Sequence, residues 1–443
     1  METPIYDFLR HYEDERMVRF HMPGHKGKPF LGCESGDLTE IKGADALYEA
    51  DGIIAESERN AAELFGAGRT CYSTEGSSQC IRAMLYLALM DRPAGTPPVI
   101  VAARNVHKAF VYAAALLDFE VVWLWPEESR SLCGCPVSAE TLERTLAALS
   151  APPAAVYLTS PDYLGGMADL AAQAEVCHRH GTILVVDNAH GAYLRFLEPS
   201  LHPLDLGADL CCDSAHKTLP VLTGGAYLHI HRSVSGRLAD QAKAALALFG
   251  STSPSYLTLA SLDLCNRYLA EDYPVRLAGT VARLEKLRGE LVGKGWCLLA
   301  GDPLRLTIGV PEGMTGQQLA EDLRTAQIEC EYADRDFLVL MITPENTPED
   351  LERLVTALGE TRLRPGERAK LPLARGEQVC RIRQALFAPH ETVPAEKALG
   401  RVCGAPTVSC PPAIPIAVSG ERIGSEALEL FRYYAVETVD VLR

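Results

Sequence analysis

The chain has 443 residues, of which 47% are apolar and 23% charged, so it can bury a large core and should divide into two or three domains. This composition excludes an intrinsically disordered protein. Lys and Arg number 42 against 58 Asp and Glu, a net charge of −16 at pH 7, which is the wrong sign for a protein that binds nucleic acid through its phosphates.

The sequence has no pattern of a secreted or membrane-spanning protein. Residues 1–20 are rich in charge, and the longest apolar run, 83–90, is too short to cross a bilayer. We therefore expect a cytoplasmic protein without a membrane partner. The 14 Cys follow no regular spacing, which predicts reduced, mostly buried thiols and no metal site.

The first elements along the chain are an arm, two helices and a loop. The segment from His21 to Asp45 is rich in turn residues, Gly and Pro, and cannot form a helix. Apolar residues at helical spacing predict helices over Ile53–Phe65 and Gln79–Met90. The Gly, Ser and Thr residues of Gly66–Ser78 predict a loop between them.

Short apolar segments then alternate with helical patterns. Several are almost continuously apolar, which is typical of strands buried on both faces. Strands alternating with helices indicate a mostly parallel sheet, in which ligands bind beyond the carboxyl ends of the strands. The predicted strands are Val99–Ala103, Val121–Trp125, Ala154–Thr159, Ile183–Asp187, Leu210–Cys212 and Ala226–Ile230.

The second half of the chain predicts a smaller α+β domain, a linker and a terminal module. Its elements are a helical pattern from Asp263 to Lys294, strands over Leu304–Ile308 and Phe337–Ile342, and helices over Thr315–Thr325 and Pro348–Leu358. The charged run Glu360–Arg375 contains Pro365 and Pro372, as linkers do. A module with the proline-rich stretch Cys410–Pro415 follows.

These patterns predict four segments. They are an N-terminal arm (1–52), a large α/β domain (53–265), a small α+β domain (266–362) and a C-terminal module (363–443).

Several common catalytic motifs are absent. Gly66–Cys71 lacks the third glycine of a dinucleotide-binding loop, and the P-loop, Gly-x-Ser-x-Gly and His-Glu-x-x-His patterns do not occur. The pairs Cys133/Cys135, Cys211/Cys212 and His229/His231 are isolated from one another in the sequence. We therefore expect neither a dinucleotide enzyme nor a zinc enzyme.

Three segments at element ends supply the groups that one cofactor requires. Asp187 ends an apolar strand, and Lys217 follows another, flanked by hydroxyl and imidazole side chains. Ser77 and Ser78 open a helix, whose N-terminus suits a phosphate. A lysine for a Schiff base, a carboxylate for a pyridinium nitrogen and a phosphate site are what pyridoxal phosphate needs from a protein.

At these segments the sequence resembles the fold type I pyridoxal phosphate enzymes that comprise the bacterial ornithine, lysine and arginine decarboxylases. The resemblance covers nearly the whole chain and implies an α/β, aspartate aminotransferase-like large domain with a mostly parallel sheet, a small α+β domain and a C-terminal decarboxylase module. The matching segments are His21–Gly27, Arg104–Lys108, Thr159–Pro161, Val186–Gly191, Ser214–Pro220, Ser251–Tyr256 and Ile342–Asn346.

The resemblance implies a role for each matching residue. Lys217 forms the internal aldimine, Asp187 pairs with the pyridine nitrogen, and a proton is returned by Lys217, His190 or His216. A helix cap or a core contact remains an alternative for His107 and His190. The residues implied to bind the cofactor are Ser77, Ser78, His107, Asp187, His190, Ser214, His216 and Lys217, with Ser251 and Thr252 reaching the phosphate of the neighbouring subunit.

A homodimer with shared active sites is therefore implied, and the substrate would be a basic amino acid. The chain resembles the short form of the family, without a receiver-like N-terminal domain. It departs from the family at two positions: Glu75 lies where many relatives have Asn, and Asn188 lies where many have Glu. The resemblance leaves open whether the reaction serves polyamine synthesis or acid resistance.

The acid that would bind the distal cation of the substrate is not fixed by the sequence. The candidates are Glu34, Asp37, Glu40, Asp334 and Asp336. Two alternative functions also remain. An aminotransferase or another pyridoxal phosphate lyase would clamp the α-carboxylate with an arginine, for which Arg335 is the first candidate. A non-catalytic regulator would keep the fold and bind polyamine-related ligands, but it would not need Lys217.

Overall fold

The computed structural model describes residues 1–92, 95–234, 236–361, 364, 366, 368, 370–409 and 413–443. Two segments predicted from the sequence lie partly outside these residues. Pro365 of the predicted linker, and Cys410, Pro411 and Pro412 of the predicted proline-rich stretch, lie outside the described residues.

The largest sheet has seven strands and is mostly parallel. Their order in the sheet is β1-β7-β6-β5-β4-β2-β3, with β2 parallel to β3 and β4, β5 parallel to β6, and β7 antiparallel to β6 and β1. The strands are β1 (Arg69–Ser73), β2 (Val99–Ala103), β3 (Glu120–Leu124), β4 (Ala155–Thr159), β5 (Ile183–Asp187), β6 (Leu210–Asp213) and β7 (Ala226–Ile230). A mostly parallel sheet with α-helices confirms the predicted α/β fold class.

Smaller sheets follow in the second half of the chain. One has four strands in the order β10-β11-β9-β8, and two more pair β12 with β15 and β13 with β14. The strands are β8 (Cys297–Leu298), β9 (Arg305–Gly309), β10 (Tyr332–Ala333), β11 (Phe337–Met341), β12 (His390–Pro394), β13 (Thr407–Ser409), β14 (Ile414–Ala417) and β15 (Thr438–Leu442).

Local capping signals set several helix ends. The hydroxyl of Thr347 accepts the N–H of Asp350, and the carboxylate of Asp350 accepts the N–H of Thr347, a capping box that begins α12. The α-helices are α1 (Pro4–Asp14), α2 (Ile53–Phe65), α3 (Ser77–Asp91), α4 (Lys108–Leu117), α5 (Ala139–Ala147), α6 (Leu170–Arg179), α7 (Ala215–Thr218), α8 (Gly236–Ala247), α9 (Tyr256–Glu271), α10 (Tyr273–Gly293), α11 (Gly316–Thr325), α12 (Pro348–Leu358), α13 (Ile382–Leu386) and α14 (Ser425–Tyr433).

Most of the elements predicted from apolar patterns lie within a residue or two of the observed ones, but one prediction was wrong. The segment Gly66–Ser78, predicted as a loop, contains strand β1. Its sequence Arg-Thr-Cys-Tyr-Ser lacks the continuous apolar run of the neighbouring strands. It becomes a strand because it pairs with β7 at the edge of the sheet, a partner more than 150 residues away in the sequence.

The chain forms two compact units. The first comprises 1–92 and 183–278, and the second comprises 93–182 and 279–443. The division into four domains predicted from the sequence stays a prediction.

Within the described residues, no helix combines the length and apolarity needed to span a bilayer. The described cysteines are free, and most of them are buried.

The core of the first unit places two strand ends side by side. Helix α3 packs on β5, β6 and β7, and all residues of β6 and β7 are buried. The β5–β6 ladder pairs Val185 with Leu210 and ends at Asp187 with Cys212. Polar side chains that follow these strands therefore emerge next to one another.

Candidate active site

Lys217 and His190 are brought into contact in the first unit. Lys217 lies in α7, a single helical turn that follows β6 directly, and His190 follows β5. The Nζ atom of Lys217 lies 2.9 Å from Nε2 of His190. An amine and an imidazole at this distance can share or exchange a proton, and the structure brings these two separately predicted residues together.

Asp187 is a buried carboxylate at the end of β5, with only 3% of its surface exposed. Its Oδ1 atom accepts the N–H of Ala189 at 3.2 Å and the S–H of Cys212 at 3.8 Å. Burial raises the pKa of the Cys212 thiol well above its usual value, and the Asp187 charge adds to this, so the thiol remains a donor. The sequence analysis missed Cys212, since only the β5–β6 register places it beside Asp187.

A pair of hydroxyl groups joins the start of α3 to the segment before Lys217. The Oγ atom of Ser214 donates to Oγ of Ser77 at 2.8 Å, across 137 residues of sequence. Ser77 and Ser78 are both half-buried in the first turn of this 15-residue helix. A helix N-terminus with adjoining hydroxyls is suited to an anion.

Two glycines shape the loop that leads into α3. Gly76 has φ +70° and donates its N–H to the carbonyl of Gly224 at 2.8 Å. Gly224 has φ +95°, and a Cβ atom there would lie 2.6 Å from the carbonyl oxygen of Thr74. The two loops approach each other closely because Gly224 has no side chain at this point, whereas Gly76 is favoured by its positive φ and a Cβ there would meet nothing within 4 Å.

His216 faces the loop before β7. Its Nδ1 atom lies 3.0 Å from the carbonyl oxygen of Gly225, and its backbone N–H donates to the same oxygen at 3.2 Å. Burial lowers the pKa of His216, and the charge of Lys217 lowers it further. His216 is therefore neutral near pH 7 and orients the Lys217 segment through Gly225.

Both departures from the family pattern have partners in the structure. Glu75 is exposed, and its Oε1 atom accepts the N–H of Ser251 at 3.4 Å. Asn188 is fully buried and donates from Nδ2 to Oδ1 of Asp213 at 2.7 Å. Ser251 and Thr252 are exposed in the loop between α8 and α9.

His107 belongs to the second unit. It is the N-cap of α4, where its Nδ1 atom accepts the N–H of Ala109 at 3.2 Å.

Arg335 of the same unit places its guanidinium carbon 5.2 Å from the ring centre of Tyr433. An arginine stacked on an aromatic ring is partly engaged before any carboxylate binds.

The five acids proposed for the distal cation differ in their surroundings. Glu34 accepts the backbone N–H groups of 30–32, which lower the pKa of its carboxyl group to about 2. Asp334 is buried and accepts the hydroxyl of Tyr332 and two backbone N–H groups. Asp37 lies 3.1 Å from His25, Glu40 accepts the hydroxyl of Thr39, and Asp336 accepts that of Tyr433.

One further cluster contains groups that can bind metals. Potential ligand atoms of His202, Cys211 and Asp213 lie within 4.8 Å of one another, and all three residues are buried. Asp213 is already within hydrogen-bond distance of His202 and Asn188. The sequence spacing of these residues gave no signal of this cluster.

The residues of the first unit fit pyridoxal phosphate. Lys217 offers an amine beside an imidazole, Asp187 offers a buried carboxylate, and the start of α3 offers hydroxyls and a glycine-lined loop for a phosphate. These are the amine, the anion and the anion site that this cofactor requires.

Comparison with known families and proteins gives a consistent result. The sequence model described as Orn/Lys/Arg decarboxylase, major domain, matches residues 3–307. An arginine decarboxylase of Bacillus subtilis is 31% identical, over 96% of this chain and 92% of the relative. An arginine decarboxylase of Halalkalibacterium halodurans is 30% identical, over 97% and 93%.

Solved structures with the same fold include two lysine decarboxylases. The constitutive lysine decarboxylase of Escherichia coli superposes with a TM-score of 0.80 at 19% identity, over 100% of this chain and 82% of that one. LdcF of Francisella novicida gives 0.81 at 17% identity, over 100% and 81%. A Sphingomonas wittichii serine palmitoyltransferase gives 0.56 at 16%, over 81% and 83%.

Proposed function

Because the chain belongs to the Orn/Lys/Arg decarboxylase family, we propose that it removes the α-carboxyl group of a basic amino acid, with arginine as the first candidate. The chain is a pyridoxal phosphate-dependent amino-acid decarboxylase. Arginine is favoured over lysine and ornithine because full-length relatives at about 30% identity are named arginine decarboxylases. The observation that carries the proposal is the contact of Lys217 with His190, which follows the buried Asp187 by three residues.

Each side chain of this group has a distinct task. Pyridoxal phosphate supplies an electron sink for the bond that breaks at the α-carbon. Lys217 would hold the cofactor through Nζ, and the charge of Asp187 would favour a proton on the pyridine nitrogen. The Nε2 atom of His190, 2.9 Å from the Lys217 amine, passes protons to and from that amine.

The phosphate of the cofactor would bind at the start of α3. Ser77 and Ser214 already share a hydrogen bond there, and Ser78 lies in the same helical turn. His216 keeps the segment between Ser214 and Lys217 in place through its bond to Gly225. This assigns His216 a positioning role, in contrast to His190, whose imidazole contacts the lysine.

We further propose a cytoplasmic homodimer. Ser251 and Thr252 are exposed in a loop that Glu75 ties down, so they are free to approach a second subunit. The stacking of His107 on the cofactor ring stays a prediction from the family resemblance. Asp37 and Glu40 of the arm are the preferred acids for the distal cation, since Glu34 and Asp334 accept nearby backbone N–H groups.

The test compares wild type with Lys217→Ala, and with Lys370→Ala as a matched control for an exposed lysine of the second unit. Each protein is purified, its visible spectrum is recorded with pyridoxal phosphate, and CO2 and amine are measured with arginine, lysine and ornithine. We expect a cofactor band and amine release from wild type and Lys370→Ala, and neither from Lys217→Ala.

Other products would contradict the proposal. A keto acid with an aminated cofactor would favour the aminotransferase alternative, and Arg335→Ala would then be the next variant. Wild-type protein that binds no pyridoxal phosphate would favour the regulator. Release of amine from lysine alone would keep the reaction and replace arginine as the substrate.

A further inference from the structure

A buried polar cluster underlies the two segments that carry Asp187 and Lys217. It comprises Asn188, Asp213, His202 and His229, and each of these residues is fully buried. Asn188 directly follows Asp187 in the chain, and Asp213 directly precedes Ser214. The proposed mechanism uses none of the four, although two of them adjoin residues that it does use.

Both oxygens of the Asp213 carboxylate are engaged. Its Oδ1 accepts from Nδ2 of Asn188 at 2.7 Å. Its Oδ2 lies 3.1 Å from Nε2 of His202 and 3.3 Å from Nε2 of His229. Nδ1 of His202 accepts the N–H of Leu204, and Nδ1 of His229 lies 2.8 Å from the hydroxyl of Thr70, so each histidine can present Nε2–H to Asp213.

These contacts keep Asp213 ionised. Burial by itself would raise the pKa of its carboxyl group, but His202 and His229 outweigh burial and the pKa lies below the usual value. Burial also lowers the pKa of His229, which therefore remains neutral near pH 7. The bond from Asn188 thus ends on a charged acceptor, and such bonds are stronger than those between neutral groups.

The bond lies where the strand ladder stops. Parallel pairing between β5 and β6 ends at Asp187 and Cys212, and the N–H of Asn188 then donates to the carbonyl of Cys212 at 3.0 Å. The side chains of Asn188 and Asp213 add the next cross-link toward the site. Beyond it, the two segments carry His190 and Lys217, whose side chains are in contact.

We propose that the Asn188–Asp213 hydrogen bond positions the pyridoxal phosphate site, by holding the Asp187 segment and the Lys217 segment at a fixed separation. Asn188 and Asp213 are positioning residues, because they act through their chain neighbours. This inference rests on the proposed function, since it concerns how the cofactor is held. It also explains Asn188: a carboxylate at this position would face Asp213 in a buried site, where like charges repel strongly.

The test is a cycle of substitutions of equal size: Asn188→Asp, Asp213→Asn and the double variant. Asn188→Asp opposes two carboxylates, and we expect it to weaken pyridoxal phosphate binding about tenfold or more. Asp213→Asn keeps an amide oxygen for Asn188, so we expect a loss of at most about threefold. In the double variant the amide of position 213 donates to the carboxylate of position 188, and we expect affinity close to that of Asp213→Asn.

Stability should respond differently from affinity. Asp213→Asn removes the charge that faces His202 and His229, so the melting temperature of the apo-protein should fall in this variant and stay low in the double variant. Asp213→Asn would therefore lower the melting temperature and still restore cofactor binding when it is combined with Asn188→Asp. If the cluster only stabilised the fold, its variants would lose cofactor affinity and melting temperature together. The two measurements therefore distinguish a positioning role from a purely stabilising one.

Asp263→Asn is the matched control. Asp263 is another fully buried carboxylate of the first unit, and it accepts from the N–H groups of Ile5 and Tyr6 and from Ser57. We expect it to leave the affinity for pyridoxal phosphate unchanged and to give no rescue of Asn188→Asp. If Asn188→Asp does not fold, Asn188→Ala replaces it, and Asp213→Asn should fail to rescue that variant, since alanine has no polar group to pair.

The measurements are the dissociation constant of pyridoxal phosphate from an absorbance titration of apo-protein, the position of the visible band, and the melting temperature. Wild-type affinity in Asn188→Asp, or a double variant weaker than Asn188→Asp, would overturn the proposal. One equivalent of tightly bound zinc in the purified protein would also overturn it, because His202 and Asp213 would then be metal ligands. Wild type that binds the cofactor without releasing an amine would instead contradict the proposed function and leave the cycle interpretable.

Discussion

Arg104 belongs to one of the segments that carry the family resemblance, and its side chain serves the fold of the second unit. Its guanidinium donates to the carbonyls of Pro415 and Ile416 and to the carboxylate of Glu421 at 3.1 Å. Arg104 is 7% exposed and Glu421 3% exposed. Burial raises the pKa of Glu421 and the charge of Arg104 opposes this, so the Glu421 charge depends on its arginine partner.

Removing one member of this pair should destabilise the second unit strongly. We expect Glu421→Ala to lower its free energy of unfolding by about 3–5 kcal/mol, because the Arg104 charge stays buried without its counter-ion. Tryptophan fluorescence during urea unfolding reports on this unit, since Trp123, Trp125 and Trp296 all lie in it and the chain has 3 tryptophans.

The exposed pair of Arg324 and Glu329 is the matched control, with side chains 48% and 69% exposed. Glu329→Ala should leave the urea midpoint unchanged, because solvent screens the pair. Equal midpoints for Glu421→Ala and wild type would show that the buried bridge does not stabilise the unit.

At the scale of elements, the site depends on how closely the β1–α3 loop approaches the loop before β7. Gly224 has φ +95° and no room for a Cβ beside the carbonyl of Thr74, 2.6 Å away. The N–H of Gly76, which leads into α3, donates to the carbonyl of Gly224. A shift of Gly224 therefore moves the N-terminus of the helix that carries Ser77.

We expect Gly224→Ala to weaken pyridoxal phosphate binding by about tenfold or more, because the backbone strain and the contact with Thr74 displace the start of α3. An absorbance titration of apo-protein measures this. Gly236→Ala is the control: Gly236 begins α8, and a Cβ there meets nothing within 4 Å. Gly224→Ala that binds the cofactor as tightly as Gly236→Ala would show that this close approach is dispensable.

At the scale of the whole molecule, the proposed homodimer makes each active site depend on two subunits. Lys217 is half-buried in the first unit, whereas Ser251 and Thr252 of the same unit are exposed. If those hydroxyls serve the partner's phosphate, a defect in Lys217 and a defect in Ser251 and Thr252 affect different sites of a mixed dimer.

Co-expression of Lys217→Ala subunits and Ser251→Ala/Thr252→Ala subunits, each with its own affinity tag, should therefore give active mixed dimers. One site of each dimer is intact, so we expect about half of the wild-type activity per dimer, while each parent variant is inactive or strongly impaired. Amine release after tandem purification measures this. Mixed dimers no more active than the parents would show that the hydroxyls act within their own subunit.

The sequence by itself determined the α/β fold class and most strands of the seven-stranded sheet, and it predicted the chemical groups of the site. Val99–Ala103, Ile183–Asp187 and Ala226–Ile230 were located exactly, because buried strands carry continuous apolar runs that are readable within a few residues. Lys217 and Asp187 were predicted as site residues because Asp187 ends one such strand and Lys217 follows another, each within a specific local motif.

Only the tertiary structure decided which side chains meet. Three features depend on pairings between distant segments. They are strand β1, the thiol of Cys212 beside Asp187, and the contact of Asn188 with Asp213. It also placed the His216 imidazole against the carbonyl of Gly225, whereas the imidazole of His190 contacts Lys217. Local patterns record propensity and burial, whereas register and loop approach are fixed by packing across the whole unit, which no short stretch of sequence contains.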